Sequence, residues 1–239
     1  MEYNHIDLLI NQIYNGTRNI PRFNQQEHAG ICSAGPLLIG AFIVCDNARE
    51  SLEASCNASG SQGSPANWKI DETQEHELQC WAEAKGVWIP NSEQMLCQSF
   101  GDKIAEGAEA KVYYKTGDTH VVKLRTSIYA TLGRGLEAIA LHNALFPETI
   151  MRIVGFTRDD DELFRIILTQ PYIECQRLAS KEEIDNMVVS KGFQDNGDGK
   201  GINYISDHLH LEDMHPANVF IEPNTGLPVC IDCIVKFRR

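Results

Sequence analysis

The interpretation of this sequence depends on Leu211-Glu212-Asp213-Met214-His215-Pro216-Ala217-Asn218-Val219-Phe220 and on Val229-Cys230-Ile231-Asp232, which follows it. Four residues separate Asp213 from Asn218, and a short apolar segment comes directly after Asn218. A turn at Asn224-Thr225-Gly226 connects this segment to a second apolar segment that ends in an aspartate. The pattern predicts two short strands joined by a turn. Because Asp and Asn occur at this spacing often by chance, an Asx-rich turn before an ordinary hairpin is the alternative.

The composition is that of a globular protein, with 43% hydrophobic and 23% charged residues in a chain of 239, long enough for one large domain or two small ones. The net charge of −12 argues against a general nucleic-acid-binding protein and against binding to a membrane surface, because both need a basic face. The polar start Met1-Glu2-Tyr3-Asn4-His5 lacks the basic region of a signal peptide, and the longest apolar run, 36–45, is too short to span a bilayer. The cysteines form no tight framework, so we expect them to be reduced in a cytoplasmic protein.

Hydrophobic periodicity divides the chain into a mainly helical part and a part rich in strands. Before residue 98 we predict helices over Ile6–Tyr14, Pro36–Ala54 and Asp71–Lys85, the last with Asp71 and Gln74 at the spacing of a capping box. After residue 98 the predicted order is strand, strand, helix, strand, strand, linker, and then helix plus strands. These elements cover 111–114, 120–124, 134–145, 151–156 and 163–169, followed by a helix that Ser180 and Glu183 cap.

This order of elements resembles the protein-kinase-like fold. Ile104-Ala105-Glu106-Gly107-Ala108-Glu109-Ala110-Lys111-Val112 aligns with the glycine-rich phosphate loop of kinases, although Gly107 is the only one of the three glycines present. Ala105 and Ala110 replace the outer two. Small side chains still let the backbone approach phosphates, so the resemblance implies that Gly107 contacts a bound nucleotide. Taken alone, the segment is also compatible with a β-turn that binds nothing.

Lys123 lies inside the apolar segment Val121-Val122-Lys123-Leu124. A lysine at such a position is costly unless its ammonium group meets an anion. The resemblance to kinases implies that this lysine holds the α- and β-phosphates of ATP and pairs with a glutamate on the next helix. Glu137 is the candidate partner, because it is the only carboxylate within Arg134–Leu145. An edge-strand lysine whose ammonium group reaches water is the alternative.

The kinase resemblance also assigns roles to the stretch quoted first. It implies that Asp213 is the catalytic residue that orients the attacking hydroxyl group and accepts its proton, and that Asn218 and Asp232 bind Mg²⁺. The sequence departs from most eukaryotic kinases in having Leu211-Glu212 where they have His-Arg, and Asp232-Cys233-Ile234 where they have Asp-Phe-Gly. Asp213–Asn218 instead looks like the Asp-x-His-Pro-x-Asn loop of small-molecule and atypical kinases such as the aminoglycoside phosphotransferases.

A closer resemblance covers nearly the whole chain. Gln74-Glu75-His76-Glu77-Leu78-Gln79-Cys80-Trp81-Ala82, Gly86-Val87-Trp88-Ile89 and Glu106-Gly107-Ala108-Glu109-Ala110-Lys111-Val112-Tyr113 look like the polyvalent protein kinases of bacterial mobile elements and phages. The resemblance implies an α+β, two-lobed protein-kinase-like fold with a truncated C-lobe and an N-terminal helical extension. We therefore predict a helical extension over 1–97 and a minimal kinase-like domain over 98–239, with its N-lobe over about 98–170 and a reduced C-lobe over about 171–239.

The predicted function is an ATP- and Mg²⁺-dependent phosphotransferase that acts on a Ser, Thr or Tyr hydroxyl of a protein or on a small-molecule hydroxyl. A nucleotide-binding pseudokinase acting as an interaction module is the first alternative, because the glycine loop is incomplete and the usual substrate platform is missing. A zinc-binding structural protein is the second, suggested by Cys230-x-x-Cys233 with His208, His210 and His215 nearby. For Cys230 and Cys233, we favour buried core cysteines over zinc ligands.

Overall fold

The computed structural model describes residues 35–58, 64–89, 93–107, 109–126 and 128–238. They form two compact units, the first from the described residues up to Glu137 with Met151–Gln170, the second from those of Ala138–Ile150 and Pro171–Arg239. The helix predicted over Ile6–Tyr14 lies outside the described residues. The predicted boundary between residues 97 and 98 falls inside the first unit, and as a division between domains it stays a prediction.

The helices of the described residues lie close to the positions that periodicity predicts, except the helix over Glu93–Phe100, which was not predicted. They are α1 (Pro36–Ala58), α2 (Asn67–Lys85), α3 (Glu93–Phe100), α4 (Leu132–Leu145) and α5 (Lys181–Ser190). Within the described ranges, no helix combines the length and the apolar character needed to cross a bilayer.

The predicted cap at the start of α2 is wrong. The helix begins four residues earlier, at Asn67, and the residue at its N-cap is Ala66, whose side chain makes no capping hydrogen bond. Asp71 and Gln74 therefore lie within the helix, where their side chains bind backbone groups of other helices. Asp71 and Gln74 have the spacing of a capping box, but their hydrogen-bond partners lie on other helices.

The strands confirm a mixed α+β fold, and every strand pair whose register is resolved is antiparallel. They are β1 (Asp102–Glu106), β2 (Ala110–Tyr114), β3 (His120–Arg125), β4 (Arg152–Arg158), β5 (Phe164–Pro171), β6 (Arg177–Leu178), β7 (Gln194–Asp195), β8 (Tyr204–Ile205), β9 (Leu209–Glu212), β10 (Val219–Ile221), β11 (Pro228–Cys230) and β12 (Ile234–Phe237). Short 3₁₀ turns cover Pro147–Thr149 and Pro216–Asn218.

The first unit is built on a sheet with the strand order β1-β2-β3-β5-β4. Its apolar core joins β2, β3, β5 and α3, and the fully or almost fully buried members are Leu96, Tyr113, Val122, Leu124 and Ile167. β3 is buried over all of its length except its first residue, which fits the apolar run over 121–124, and the charged Arg125 at its end is buried too. The one charged side chain inside that apolar run is Lys123.

Two glycines allow the segment after α2 to join this sheet. Gly86 ends α2 in the left-handed conformation, with φ of 69°, which glycine adopts without strain. The following residues then bind the edge of β4: the Ile89 N–H donates to the Phe156 carbonyl, and the Phe156 N–H donates to the Val87 carbonyl. At Gly155, a Cβ atom would lie 2.8 Å from the Val87 carbonyl oxygen. A larger residue at position 155 would therefore push this segment off the sheet.

The second unit contains two small sheets, with the strand orders β11-β10-β6 and β12-β9-β8-β7. β10 and β11 form the hairpin predicted from the sequence, with Val219 opposite Cys230. The first turn of α5 has the predicted capping box, because the Ser180 hydroxyl accepts the Glu183 N–H and the Glu183 carboxylate accepts the Ser180 N–H. β9 leads directly into the loop that starts at Asp213.

Candidate active site

Asn218 and Asp232 lie at the same end of the β10–β11 hairpin. Asn218 comes directly before β10, and Asp232 follows one residue after β11. The ladder continues past the strands, because the Ile231 N–H donates to the Asn218 carbonyl over 2.9 Å. Antiparallel pairing thus places two residues that are fourteen apart in the sequence at neighbouring positions of the hairpin's open end. The spacing seen in the sequence is explained by this register.

Asp213 has a backbone conformation that is unusual for a side-chain-bearing residue. Its φ is +64°, in the left-handed region that favours glycine. Backbone strain of this kind is common at functional sites, where surrounding contacts must hold it. The side chain of Asn218 supplies one such contact, since its Nδ2 donates to the Asp213 carbonyl over 2.9 Å and to the Asp213 Oδ2 over 3.0 Å.

The contacts of Asn218 also determine which way its amide faces. Its Nδ2 faces two acceptors, both oxygens of Asp213, and lies 3.2 Å from the His215 Nε2. Because the amide nitrogen points at these groups, the amide oxygen points away from them. An amide oxygen and a carboxylate are oxygen donors of the kind Mg²⁺ takes, so Asn218 and Asp232 fit such an ion by their chemistry.

Asp232 lies beside two buried cysteines. Its Oδ1 accepts the Cys233 N–H over 3.0 Å, and its carbonyl accepts the Cys230 thiol over 3.1 Å. The Cys233 sulfur is 3.4 Å from Nδ1 of the buried His142. Among the residues that the structure describes, no three His, Cys, Asp or Glu side chains converge as metal ligands would. Cys230 and Cys233 are thus buried core residues, and both form hydrogen bonds with Asp232.

In the first unit, Lys123 is 6% exposed and lies opposite Val112 of β2. The strand assignment and the burial agree with the sequence interpretation, in which a lysine occupies an apolar strand. A buried ammonium group requires an anionic or polar partner. The phosphate-binding role of Lys123 stays a prediction.

Glu137 is also buried, on α4. Its two carboxylate oxygens accept hydrogen bonds from Nη1 of Arg134, at 3.0 and 2.9 Å. Burial raises the pKa of Glu137 above its usual value, and the charge and hydrogen bonds of Arg134 only partly oppose this effect. Arg134 was not among the predicted site residues, although the spacing of three residues on a helix could have indicated the pair. Pairing of Glu137 with Lys123 stays a prediction.

Gly107 lies in the turn between β1 and β2. Its N–H donates to the Ala110 carbonyl over 2.9 Å, and its surroundings are open, since no atom would lie within 4 Å of a Cβ placed there. The neighbouring Ala108 lies outside the described residues. The resemblance to kinases implies a phosphate loop at this segment, and the contact of Gly107 with a nucleotide stays a prediction.

Two further residues contact the predicted site and were missed. The His215 Nε2 is 3.5 Å from the Asp213 Oδ1 and near the Asn218 amide. The Asn203 Oδ1 accepts the Asp213 N–H over 3.2 Å. His215 was within the quoted motif and could have been recognised from its position there. Asn203 follows a glycine-rich loop, and nothing in its local sequence indicates that it reaches Asp213.

The comparisons with known proteins agree with this architecture. Residues 71–239 match the family described as "Serine/Threonine/Tyrosine Kinase found in polyvalent proteins". The matched range starts within α2 and includes Asp213, Asn218 and Asp232. A search of curated proteins finds no match.

Proposed function

Because the chain belongs to the family of serine/threonine/tyrosine kinases found in polyvalent proteins, we propose that it transfers the γ-phosphoryl group of ATP to a hydroxyl group. The observation that carries this proposal is the contact between Asp213 and Asn218. Asp213 is held in a strained conformation by the amide of Asn218, and Asn218 shares the open end of a hairpin with Asp232. A base and two metal-binding oxygen donors within one short loop and hairpin are what this chemistry requires.

In the proposed reaction, the acceptor hydroxyl attacks the γ-phosphorus of ATP, a new oxygen–phosphorus bond forms, and ADP leaves with the electrons of the bond that breaks. Asp213 orients the hydroxyl and takes its proton. Asn218 and Asp232 are the residues that would hold Mg²⁺, which when bound neutralises charge on the phosphate oxygens. The acceptor is a Ser, Thr or Tyr side chain of a protein or a small-molecule hydroxyl.

Lys123, Glu137 and Gly107 are the residues that we propose for nucleotide binding. Lys123 binds the α- and β-phosphates, and its burial supports this role because an ammonium group in an apolar strand needs an anion. Glu137 orients Lys123, in addition to its bond with Arg134. The backbone at Gly107 approaches the phosphates, which its open surroundings permit.

A nucleotide-binding pseudokinase is the second candidate. The alanines at 105 and 110 favour it, because they replace glycines at positions where phosphate loops of kinases need conformational freedom. Both candidates bind ATP, and they differ in whether the bound ATP reacts. Phosphoryl transfer therefore has to be measured separately from nucleotide binding.

Transfer is tested with γ-labelled ATP, Mg²⁺, and the protein itself or a cell lysate as acceptor. We expect the wild type to incorporate label and Asp213→Asn to lose at least about 100-fold, because the substitution removes the base and keeps the size of the side chain. Asp207→Asn is the matched control, as Asp207 is exposed in the turn before β9 and should react like the wild type. Equal incorporation by the wild type and Asp213→Asn would contradict Asp213 as the base.

Binding is tested by the shift in melting temperature that ATP causes with and without Mg²⁺. We expect a shift in the wild type that is lost in Lys123→Ala and that no longer depends on Mg²⁺ in Asp232→Ala. Lys236→Ala is the control, since Lys236 lies on β12 in an exposed ion pair with Glu212. A Mg²⁺-dependent shift without any transfer would support the pseudokinase, and no shift at all would contradict both candidates.

A further inference from the structure

We propose that Asn203 is a positioning residue for the transfer reaction, and that its side chain keeps Asp213 in the conformation that catalysis needs. The inference deepens the proposed function and rests on it. Asn203 belongs to none of the motifs that led to the predicted site. It lies ten residues before Asp213, at the end of a loop that connects β7 to β8.

Asp213 needs restraint because its φ of +64° is disfavoured for any residue with a Cβ atom. Both polar groups of its backbone are held by side chains: Asn203 accepts its N–H over 3.2 Å, and Asn218 donates to its carbonyl over 2.9 Å. The next residue is held by the same segment, because the Met214 N–H donates to the Ile202 carbonyl over 2.9 Å. Residues 202 and 203 thus support the turn that starts at Asp213 from one side.

The amide of Asn203 has only one useful orientation. Its Nδ2 donates to Oδ2 of Asp198 over 2.6 Å, which leaves its Oδ1 to accept the Asp213 N–H. Asp198 is itself held, since its carboxylate accepts the Lys200 N–H over 2.8 Å and Nδ2 of Asn196 over 3.2 Å. A flipped amide would set two donors against each other at Asp213 and two acceptors against each other at Asp198.

The end of the loop is anchored to the body of the second unit. Tyr204, next to Asn203, is 1% exposed, and its hydroxyl donates to Oδ1 of Asp185 on α5 over 2.7 Å. Lys181, one turn earlier on α5, donates to the same hydroxyl over 3.1 Å. A side chain next to such an anchor can hold a catalytic group precisely because its own backbone has little freedom.

The role predicts a specific kinetic effect. Without the contact to Asn203, Asp213 remains present but leaves its position for part of the time. Misplacing a catalytic group by about 1 Å can cost about 100-fold in rate. We therefore expect kcat to fall about 10- to 100-fold, with little change in the KM for ATP or in the ATP-induced shift of the melting temperature.

The experiment compares three variants of the full chain with the wild type. Asn203→Leu removes the acceptor, while Asn203→Asp combined with Asp198→Asn restores it by exchanging which residue carries the charge and which donates. The double variant should recover at least a third of the wild-type kcat. Asn224→Leu is the matched control, because Asn224 lies exposed in the β10–β11 turn, where its side chain contacts Glu222.

Each outcome decides one question. A wild-type kcat in Asn203→Leu, a rise in the KM for ATP in proportion to the loss of kcat, or a double variant as slow as Asn203→Leu would overturn the positioning role. Asn224→Leu as slow as Asn203→Leu would overturn it too, since any polar loop residue would then have the same effect. If the wild type itself transfers no phosphate, the proposed function fails and this inference fails with it. Transfer at the wild-type rate in every variant overturns the inference alone.

Discussion

Asp159 is a buried acid whose charge is held by several groups. Its carboxylate accepts hydrogen bonds from Arg165 and from the N–H groups of Leu163 and Asp161, and Lys111 lies 3.8 Å away. Burial alone would raise the pKa of Asp159, but the bonds from Arg165 and the two backbone groups outweigh it, so the pKa is lowered. The ionised carboxylate of Asp159 is thus more favourable in the folded state than in the unfolded state.

The first prediction concerns this charge. A lowered pKa contributes stability that is present above the unfolded value of 3.8 and is lost as the pH falls through the folded value. Asp159→Asn should therefore cost about 3 kcal/mol at pH 7, because it leaves Arg165 buried without its anion, and the cost should shrink below pH 3.8. Urea unfolding over a pH series measures the difference. The neighbouring Asp160→Asn is exposed and should change stability by less than about 0.5 kcal/mol; equal effects of the two variants would contradict the prediction.

The pKa of Glu137 shifts in the opposite direction to that of Asp159. Because burial raises its pKa, the protonated form is favoured in the folded state. Stability from this group is fully present below the unfolded value of 4.5 and is lost as the pH rises through the folded value. At pH 7 Glu137 therefore contributes less to the free energy of unfolding than it does at low pH. A protein that keeps an unfavourable buried carboxylate commonly does so for function.

The second prediction is that Glu137→Gln separates stability from activity. The variant should unfold at a higher temperature than the wild type at pH 7, and this gain should disappear at low pH. Phosphoryl transfer should fall, because the proposed role of Glu137 is to orient Lys123 and an uncharged amide would do so less well. Differential scanning calorimetry and the transfer assay measure the two effects, with Glu148→Gln as the control, because Glu148 is exposed at the surface of a 3₁₀ turn. A variant that loses stability at pH 7 would contradict the electrostatic argument.

At the scale of elements, the start of α4 depends on α2. The first N–H groups of a helix have no partners within it. Here the Leu132 N–H donates to Oδ1 of Asp71 over 2.6 Å, and the Gly133 N–H donates to Oε1 of Gln74 over 2.9 Å. The other end of the same amide completes the link, since the Gln74 Nε2 donates to the Cys45 carbonyl on α1 over 2.8 Å. One side chain therefore connects α1, α2 and the helix that carries Glu137.

The third prediction follows from this link. Gln74→Met keeps the volume of the side chain but leaves a buried carbonyl and a helix N–H without partners, which should cost about 2 to 4 kcal/mol. Gln79→Met, on the same helix, removes partly exposed bonds to Glu83 and Arg158 and should cost less than about 1 kcal/mol. Chemical unfolding of both variants tests the difference. Equal stability losses would show that Gln74 has no special role.

A comparison of α5 with α2 shows how much of the helix capping could be predicted from the sequence. The cap of α5 was predicted correctly because Ser180 and Glu183 are partners within one helical turn. Asp71 and Gln74 have the same spacing, yet they bind residues 61 and 59 positions further along the chain. Local spacing cannot distinguish a residue that caps its own helix from one that caps another. Only the packing of α2 against α4 decides between them.

The candidate site also has some features that could be predicted from the sequence and others that could not. The relation of Asn218 to Asp232 could be predicted, because a hairpin with a short turn determines which residues share its open end. The left-handed φ of Asp213 and its bond to Asn203 could not. They depend on the path of the loop over 196–203, which includes three glycines with positive φ. Such residues have several accessible conformations, and the anchor at Tyr204 selects one of them.

At the scale of the whole molecule, the helices before residue 98 are integrated into the first unit. α2 contacts the sheet through Trp81, whose ring centroid is 6.2 Å from that of Phe156 on β4. The segment after α2 binds the edge of the same strand. The family match starts at residue 71, so it includes both side chains that cap α4. A predicted domain that begins at residue 98 lacks all of these contacts.

The last prediction therefore compares two fragments. A chain starting at Ser64 keeps α2 with Asp71 and Gln74. A chain starting at Gln98 loses both caps, uncovers the edge of β4 and also loses the first half of α3 with the core residue Leu96. Two lost bonds to helix N–H groups at about 1 to 3 kcal/mol each should lower the melting temperature of the shorter fragment by roughly 10 °C relative to the longer one. Thermal unfolding followed by near-UV circular dichroism measures this difference, and Gln74→Met in the longer fragment should reproduce part of it. If both fragments melt at the same temperature, α2 adds nothing to the stability of the sheet, and the predicted boundary between residues 97 and 98 separates two independent domains.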